Sequence, residues 1–541
     1  MVIRSFAPKW WPGTLFALIF FSLGWIVLPY PGLQVDETLY AMPHFQGAIY
    51  AIKIPRHELP LMLLQYVGTL KTWLYYPILS LLPPSSLTVR LPVLFLGACT
   101  IWMFVKLLDT INGRRAAWLG GLLLATDTTF LLTTCFDWGP VVLQHFLLVA
   151  GLIALLKFAQ LGTRSALFLG SFLLGLGVWD KVLFLWILGG LIGGVSCVFP
   201  RELGVRLTFR NTALAVAAYC LGALPLLIYN AASGFATFRS GAGFGWEEFG
   251  QKAVQLRYAW DGRVLFTVLT SPPSDEHALD PQSAIERASF GLHSAFGQHE
   301  TNRMESAFYA ALLLMPWLWR TRARRTLLFC LVTLASAWLL MAFTKGAGGS
   351  VHHVVLLWPI PHIFVAVAFA EASLLWQSHR WQRAAGWVIT AGVLFLAAEN
   401  LLLTNEYLYR LARYGGDRSW TDAIFPLSEA AGRINAPQIV VADWGMLDQL
   451  VLLHRGKLPL VMASASFLSP AESDQDRAWD RGLVEHGVWL GHTPAFQELR
   501  GWDENIVRAA AAAGYQKALL QVIADRHGRE TFEVFRFVRD K

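Results

Sequence analysis

Two adjacent carboxylates, Asp36 and Glu37, stand in the run Pro31-Gly-Leu-Gln-Val-Asp-Glu-Thr-Leu-Tyr40, a few residues beyond the first strongly apolar stretch of the chain. A carboxylate placed where a membrane helix emerges can reach both a lipid headgroup and a water-soluble molecule. Its most direct use there is as general base on a hydroxyl, worth roughly 10²–10⁴-fold when well placed. Lys71, downstream in the same stretch, is a point charge suited to a phosphate at headgroup depth. The plainer alternative is a solvated acidic loop beside a snorkelling lysine.

Other groups could join them. Asp137 lies in Thr133-Thr-Cys-Phe-Asp-Trp-Gly-Pro140, a very short link between two apolar stretches. Asp is an ordinary turn residue, but this turn is expected on the same face as Asp36, where a second carboxylate would need a cation for company. Trp179-Asp180-Lys181 pairs opposite charges at another tight link. The two either neutralise one another or leave Lys181 to hold a phosphate. Lys345-Gly-Ala-Gly-Gly-Ser-Val-His-His353 lets backbone approach a ligand closely. Neighbouring helical histidines diverge, so His353 is expected to bond a phosphate rather than share a metal with His352. His293, His299, Glu300 and Asp443 read as scaffold.

These groups must be positioned by membrane helices. Of 541 residues, 55% are hydrophobic and only 15% charged, with mean hydropathy +0.45. A soluble chain carries nearer a quarter charged. The apolar residues fall into blocks of about 17–25, the length that crosses a bilayer. We expect about eleven spans, near 12–30, 91–108, 116–134, 139–159, 165–179, 182–200, 211–230, 305–319, 326–343, 351–375 and 384–404. Basic residues gather in alternate loops: Arg4/Lys9, Lys106/Arg114/Arg115, Lys157/Arg164, Arg201/Arg206/Arg210, Arg320/Arg322/Arg324/Arg325 and Arg380/Arg383. That side is expected to be cytoplasmic by the positive-inside rule. Asp36-Glu37, Asp137, a long loop over 231–304 and the tail then lie outside. The net charge of +7 is thus read as topology and not as a nucleic-acid footprint. The five cysteines sit in or beside apolar spans with no metal or disulfide spacing. The segment 59–83 carries Lys71 near its centre, which is costly in lipid, so two short interfacial helices broken near Gly68-Thr69 are expected within an outer loop over 31–90.

After residue 404 the pattern changes to short alternating runs. Gln438–Asp443, Lys517–Ile523 and Glu530–Val538 read as strands and 421–434 and 503–514 as helices, a small soluble α/β domain over 405–541 that follows a membrane domain over 1–404.

As an ordered set these residues resemble the GT-C superfamily of integral-membrane glycosyltransferases. The likeness is to the protein O-mannosyltransferase-like branch (glycosyltransferase family 39 or related) and the lipid A aminoarabinose transferases. It rests on Asp36-Glu-Thr-Leu-Tyr-Ala41, Leu70-Lys-Thr-Trp-Leu-Tyr-Tyr-Pro77, Ser85-Ser-Leu-Thr-Val-Arg-Leu-Pro92, Gly97-Ala-Cys-Thr-Ile101 and Asp137, covering residues 12–200 and more loosely 340–370. The resemblance implies a sugar donor on a polyprenyl phosphate, inverting transfer on the extracytoplasmic face of a bacterial inner membrane, and a glycolipid, polysaccharide or protein acceptor. Asp36 becomes the general base or an acceptor-positioning carboxylate, with Glu37 as support and Asp137 as a second acidic site residue. The aminoarabinose branch has an Arg three residues after its first Asp, where this chain has Leu39; the phosphate then falls to Lys71, Lys181, Arg90 or His353. No cofactor is required, although a divalent cation (Mg or Mn) could bridge carboxylates. Against this stand a transporter or flippase of lipid-linked sugars and a non-catalytic membrane assembly protein.

Overall fold

A computed structural model describes residues 11–54, 57–139, 141–239, 243–375, 380–463, 474–499 and 501–540; Arg4, Lys9, Trp10 and Pro140 lie outside them. The helices follow the apolar blocks. The first is α1 (Trp11–Val27), followed by two single-turn helices, α2 (Val35–Thr38) and α3 (Pro43–Gln46). A small antiparallel sheet comes next, β1 (Tyr50–Ile54), β2 (His57–Leu64) and β3 (Val67–Gly68). Then come α4 (Leu70–Leu81), α5 (Ser86–Asn112), α6 (Arg114–Thr126), α7 (Thr128–Cys135), α8 (Val141–Leu161), α9 (Arg164–Asp180) and α10 (Phe184–Val198).

The expectation for 59–83 is half corrected. Its second half is the helix α4, but its first half is a strand, not an interfacial helix. Tyr50-Ala-Ile-Lys-Ile supplies a β-rich partner, and β2 pairs with it antiparallel over Met62 to His57, slipping register between Tyr50 and Ala51. The irregularity admits Pro60, which has no amide hydrogen to give a ladder.

Four helices are long and apolar enough to cross a membrane, Ser86–Asn112, Val141–Leu161, Arg324–Phe343 and Gly386–Tyr414; counting each bent helix pair as one span brings the number to eight. Trp11–Val27 and Met304–Leu318 are apolar but shorter. The chain is an integral membrane protein.

The breaks have identifiable causes. α6 and α7 meet at 56° across Asp127, whose carboxylate caps the second helix by accepting from the Phe130 amide at 2.7 Å. The other Asp127 oxygen meets His362 Nε2 at 3.1 Å. Both groups are buried, so the freed backbone and the acid satisfy one another, as hydrocarbon requires.

His362 belongs to Ile360–Leu375, which is buried on nearly every face and forms the axis of the bundle. At its far end Glu371 receives Asn112 Nδ2 at 3.0 Å and Arg322 Nε at 3.3 Å, while Arg115 donates to Ser373 Oγ at 3.2 Å. His352 and Glu371 stand near opposite ends of the pair Val351–Leu357 and Ile360–Leu375, which meet at 42°. The basic loops therefore meet one end of the bundle and the histidine pair the other.

The C-terminal region carries a five-stranded sheet. Its strands are β4 (Gln438–Val441), β5 (Leu460–Met462), β6 (Gly487–His492), β7 (Tyr515–Ala524) and β8 (Glu530–Arg539), in the order β5-β4-β6-β8-β7. The first three in that order run parallel, and β8 is antiparallel to both its neighbours. β5 and β6 are additions to the strands legible in sequence.

The two ends of the bundle generate a topology test. In a background lacking Cys197, a cysteine placed at exposed Glu58 should react with a membrane-impermeant maleimide in intact cells. One placed at exposed Arg201 should react only after permeabilisation.

Candidate active site

The site is built on α4. Lys71 and Tyr75 are four residues apart and so share one helix face, and both turn onto Asp137. Lys71 Nζ donates to Asp137 Oδ1 at 2.7 Å and to the Gly139 carbonyl at 3.3 Å. Tyr75 Oη lies 3.4 Å from the other carboxylate oxygen and donates to the Val89 carbonyl at 2.7 Å. The Lys71 ammonium sits 3.6 Å from the centre of the Tyr40 ring. Asp137 has φ +45°, a left-handed conformation that Asp tolerates better than most residues. The strain is held by the short link between α7 and α8.

Asp36 is positioned from two sides. Gln34 caps α2 by accepting from the Asp36 amide through Oε1 at 2.5 Å. Trp138 Nε1, next to Asp137, donates to Asp36 Oδ2 at 2.9 Å. Burial pushes the Asp36 carboxyl above the usual aspartate range; the charge of Lys181, the Trp138 bond and then Lys71 pull the other way. Asp36, Asp137, Lys71 and Lys181 thus form one electrostatic cluster, as expected of Asp36, Asp137 and Lys71.

Glu37 and Arg90 bind each other rather than joining it. Arg90 Nε and Nη2 bind both oxygens of Glu37 at 2.8 and 2.6 Å. Its remaining hydrogens go to the carbonyls of Leu28, Pro31 and Gly32 at 2.6–2.9 Å. All five guanidinium hydrogens are spent inside the protein, on a side chain with no exposure, so none is left for a phosphate. Glu37 in turn accepts from the Gln34 amide at 2.8 Å. The pair builds the loop.

Lys181 is the reverse case. It is buried, and among the described residues no carboxylate lies within ion-pair distance of its ammonium. Its backbone is fixed instead: Val67 and Lys181 form a β-bridge, and the Val182 amide donates to the Tyr66 carbonyl at 3.0 Å. The approach requires Gly68, where a Cβ would fall 2.1 Å from the Trp179 carbonyl oxygen. Asp180 does not neutralise its neighbour. It is fully buried, and neither carboxylate oxygen has a hydrogen-bond partner.

The glycine-rich run before Val351 brings the histidines to the same end. The His352 ring lies 5.4 Å from Trp138, and His353 packs 4.3 Å from His352 and 6.0 Å from Trp186. His353 Nδ1 accepts from the Gly348 amide at 3.1 Å. Among the described residues no group of three or more His, Cys, Asp or Glu is disposed to hold a metal.

His293 binds Glu406 at 2.7 Å, Arg410 joins Glu406 at 2.9 Å, and Glu300 pairs with Arg410. These pairs tie Ala284–Phe296 and the segment after it to Arg380–Tyr414 as scaffold. Asp443 is saturated by His492 and the amides of Trp444, Glu498 and Leu499.

The C-terminal region also reaches the site. Trp420 packs on Phe136 and Trp138 at 5.5 and 6.2 Å, and its carbonyl accepts from the Gly32 amide at 2.8 Å. A Cβ on Gly32 would lie 1.8 Å from the Thr421 carbonyl oxygen, so only glycine fits. Gln449, on the helix Leu447–Leu453, donates to the Leu33 carbonyl at 3.3 Å. Its neighbour Asp448 is pushed up to about 6 by burial and by the charge of Asp36. Asp448 lines a cleft of about 260 Å³ with Leu39, Met42, Pro43 and Leu63. No spacing in the sequence ties Asp448 to Asp36, 412 positions away.

Breaking a buried ion pair costs about 3–5 kcal/mol. Glu37→Gln and Arg90→Met should each lower the unfolding free energy of the detergent-solubilised protein by about that much, read as a fall in melting temperature. The double variant, which leaves no stranded charge, should lose less than the two singles together.

No protein-family model matches the chain, and no curated protein matches it in sequence. Solved structures do. The crystal structure of ArnT from Cupriavidus metallidurans bound to undecaprenyl phosphate superposes with TM-score 0.59 at 14% identity, covering 96% of this chain and 97% of that one. Its apo form gives 0.57 over the same spans. The arabinofuranosyltransferase AftD from Mycobacteria gives 0.51 at 14% identity, covering 99% of this chain and 42% of AftD. At such identity the likeness is one of architecture, and it agrees with the resemblance read from the sequence: this chain has the fold of the GT-C membrane glycosyltransferases.

Proposed function

We propose that the chain is a polyprenyl-phosphate-sugar glycosyltransferase of the bacterial inner membrane. It transfers the sugar with inversion to a cell-envelope glycolipid, polysaccharide or protein on the extracytoplasmic side. The observation that carries the reading is the convergence of Asp36, a half-buried carboxylate held by one side-chain donor, with Lys181, a buried ammonium that no described carboxylate pairs with. The nearly full-length likeness to a structure holding undecaprenyl phosphate supports the choice of donor. The gathering of basic loops at the opposite end supports the orientation.

In this reading Lys181, joined by Lys71 and His353, binds the donor phosphate. The acceptor hydroxyl attacks the anomeric carbon from the face opposite the phosphate, the carbon–oxygen bond to phosphate breaks, and the electron pair leaves with it. Asp36 takes the acceptor proton. Asp137 keeps Lys71 charged and aimed, and Glu37 with Arg90 holds the loop that carries Asp36. The cleft at Asp448 admits the acceptor between the first loop and the C-terminal domain (405–541). The leaving group is already stable as an anion, so orientation and cationic stabilisation supply most of the rate. No resident cofactor is needed, and turnover should survive chelator treatment.

The test is release of undecaprenyl phosphate from a panel of undecaprenyl-phosphate sugars incubated with the purified protein and membrane acceptor. Asp36→Asn should cut turnover by about 10²–10⁴-fold and Lys181→Met by about 10²–10³-fold, with melting temperature retained. A base must be ionised, and burial raises the Asp36 carboxyl. Activity should therefore fall as pH drops through a value above the ordinary aspartate range, and Lys181→Met should move that acid limb higher still by removing the largest opposing charge. Wild-type turnover in Asp36→Asn would remove the catalytic assignment.

A further inference from the structure

Among the described residues, Asp180 is the one buried carboxylate at this end of the bundle that the reaction scheme leaves idle. It ends α9, has no exposed surface, and both its oxygens lack a hydrogen-bond partner. Two features of its position are unfavourable. A negative charge at a helix C-terminus faces the negative end of the helix dipole. A buried polar group without partners costs free energy that a neutral side chain of the same shape would not. Lys71 and Lys181 lie within electrostatic reach, but neither forms an ion pair with it. Such an arrangement persists where a ligand completes it.

The ligand's chemistry follows from the geometry. The two free oxygens of one carboxylate accept a pair of hydrogen bonds, the pattern offered by two neighbouring hydroxyls of a sugar ring. Asp180 immediately precedes Lys181, and Tyr40, whose ring carries the Lys71 ammonium, feels Asp180 more strongly than any other acid. A group bonded to Asp180 would therefore lie within reach of the charges of both lysines. Resting on the reading of this site as a polyprenyl-phosphate-sugar transferase, we propose that Asp180 is a positioning residue that grips the donor sugar through two ring hydroxyls. It would set the anomeric carbon between the phosphate at Lys181 and the acceptor at Asp36, and would decide which sugars are accepted. Asp36 and Asp137 have other partners, which leaves this role to Asp180 among the described acids.

The experiment compares wild type with Asp180→Asn and Asp180→Leu. Affinity is measured for undecaprenyl phosphate alone and for the undecaprenyl-phosphate sugar that wild type turns over, together with its monodeoxy analogues. Both variants should bind undecaprenyl phosphate as wild type does. They should bind the sugar-loaded donor about 10²–10⁴-fold more weakly, the loss expected for two hydrogen bonds to a charged group. Removing one ring hydroxyl should weaken binding to wild type but leave the Asp180→Leu affinity unchanged. Their melting temperatures without ligand should equal or exceed that of wild type, since a costly buried charge has gone. Equal weakening toward both ligands, or a fall in melting temperature with sugar discrimination intact, would overturn the assignment and make Asp180 structural. If wild type binds neither ligand, the transferase reading itself fails and this proposal with it.

Discussion

The buried Arg90–Glu37 pair is the constraint on which the rest of the site depends. Desolvating two charges is costly, and the return comes only when every donor and acceptor is matched. Here the match enlists three carbonyls of the loop 28–32 as well as the carboxylate. One side chain at the start of α5 therefore dictates how the chain turns after α1 and where α2 begins, and Asp36 is one residue from the anchor. A lysine could supply the charge but not the planar fork.

From that anchor the site grows by contacts between segments far apart in sequence. α4 presents Lys71 and Tyr75 to Asp137, the link holding Asp137 offers Trp138 to Asp36, and the β-bridge at Val67 fixes Lys181. Each carboxylate is turned to a different task by its partner: Glu37 by a guanidinium, Asp137 by an ammonium, Asp36 by an indole, Asp180 by nothing. Four acids at one end of a helix bundle would repel one another if they were equivalent; unequal partners make them separable.

The helical membrane class was legible because apolar blocks of bilayer length stand out in sequence, and a helix lies at each expected span, although only four, or eight with each bent pair counted once, are long and apolar enough to cross. The strands at 438, 515 and 530 stood out by alternation. The hairpin at 50–64 was missed because an apolar run of that length carries no helical or strand period to decide it, and pairing with Tyr50–Ile54 settled it. At the site, Asp36, Lys71 and Asp137 could be named from residue type and topology. Arg90 was misjudged as a phosphate ligand because sequence reveals that an arginine is charged but not how many of its hydrogens are already committed. Asp448 and the isolation of Asp180 were hidden for the same reason: both are facts about partners that only the fold brings near or withholds.

The meeting of Gly32 with Thr421 has a consequence for how the molecule comes into being. The loop bearing Asp36 is inserted early during synthesis, yet the surface against which it is pressed is translated nearly 390 residues later. Until then the nascent first loop presents its acids to the aqueous side with one wall missing. A chain cut short before residue 420 would retain most of its membrane helices and lack a closed centre. The last quarter of the sequence thus supplies the wall that closes this end of the bundle, and the loop bearing Asp36 stays open until that part has been made.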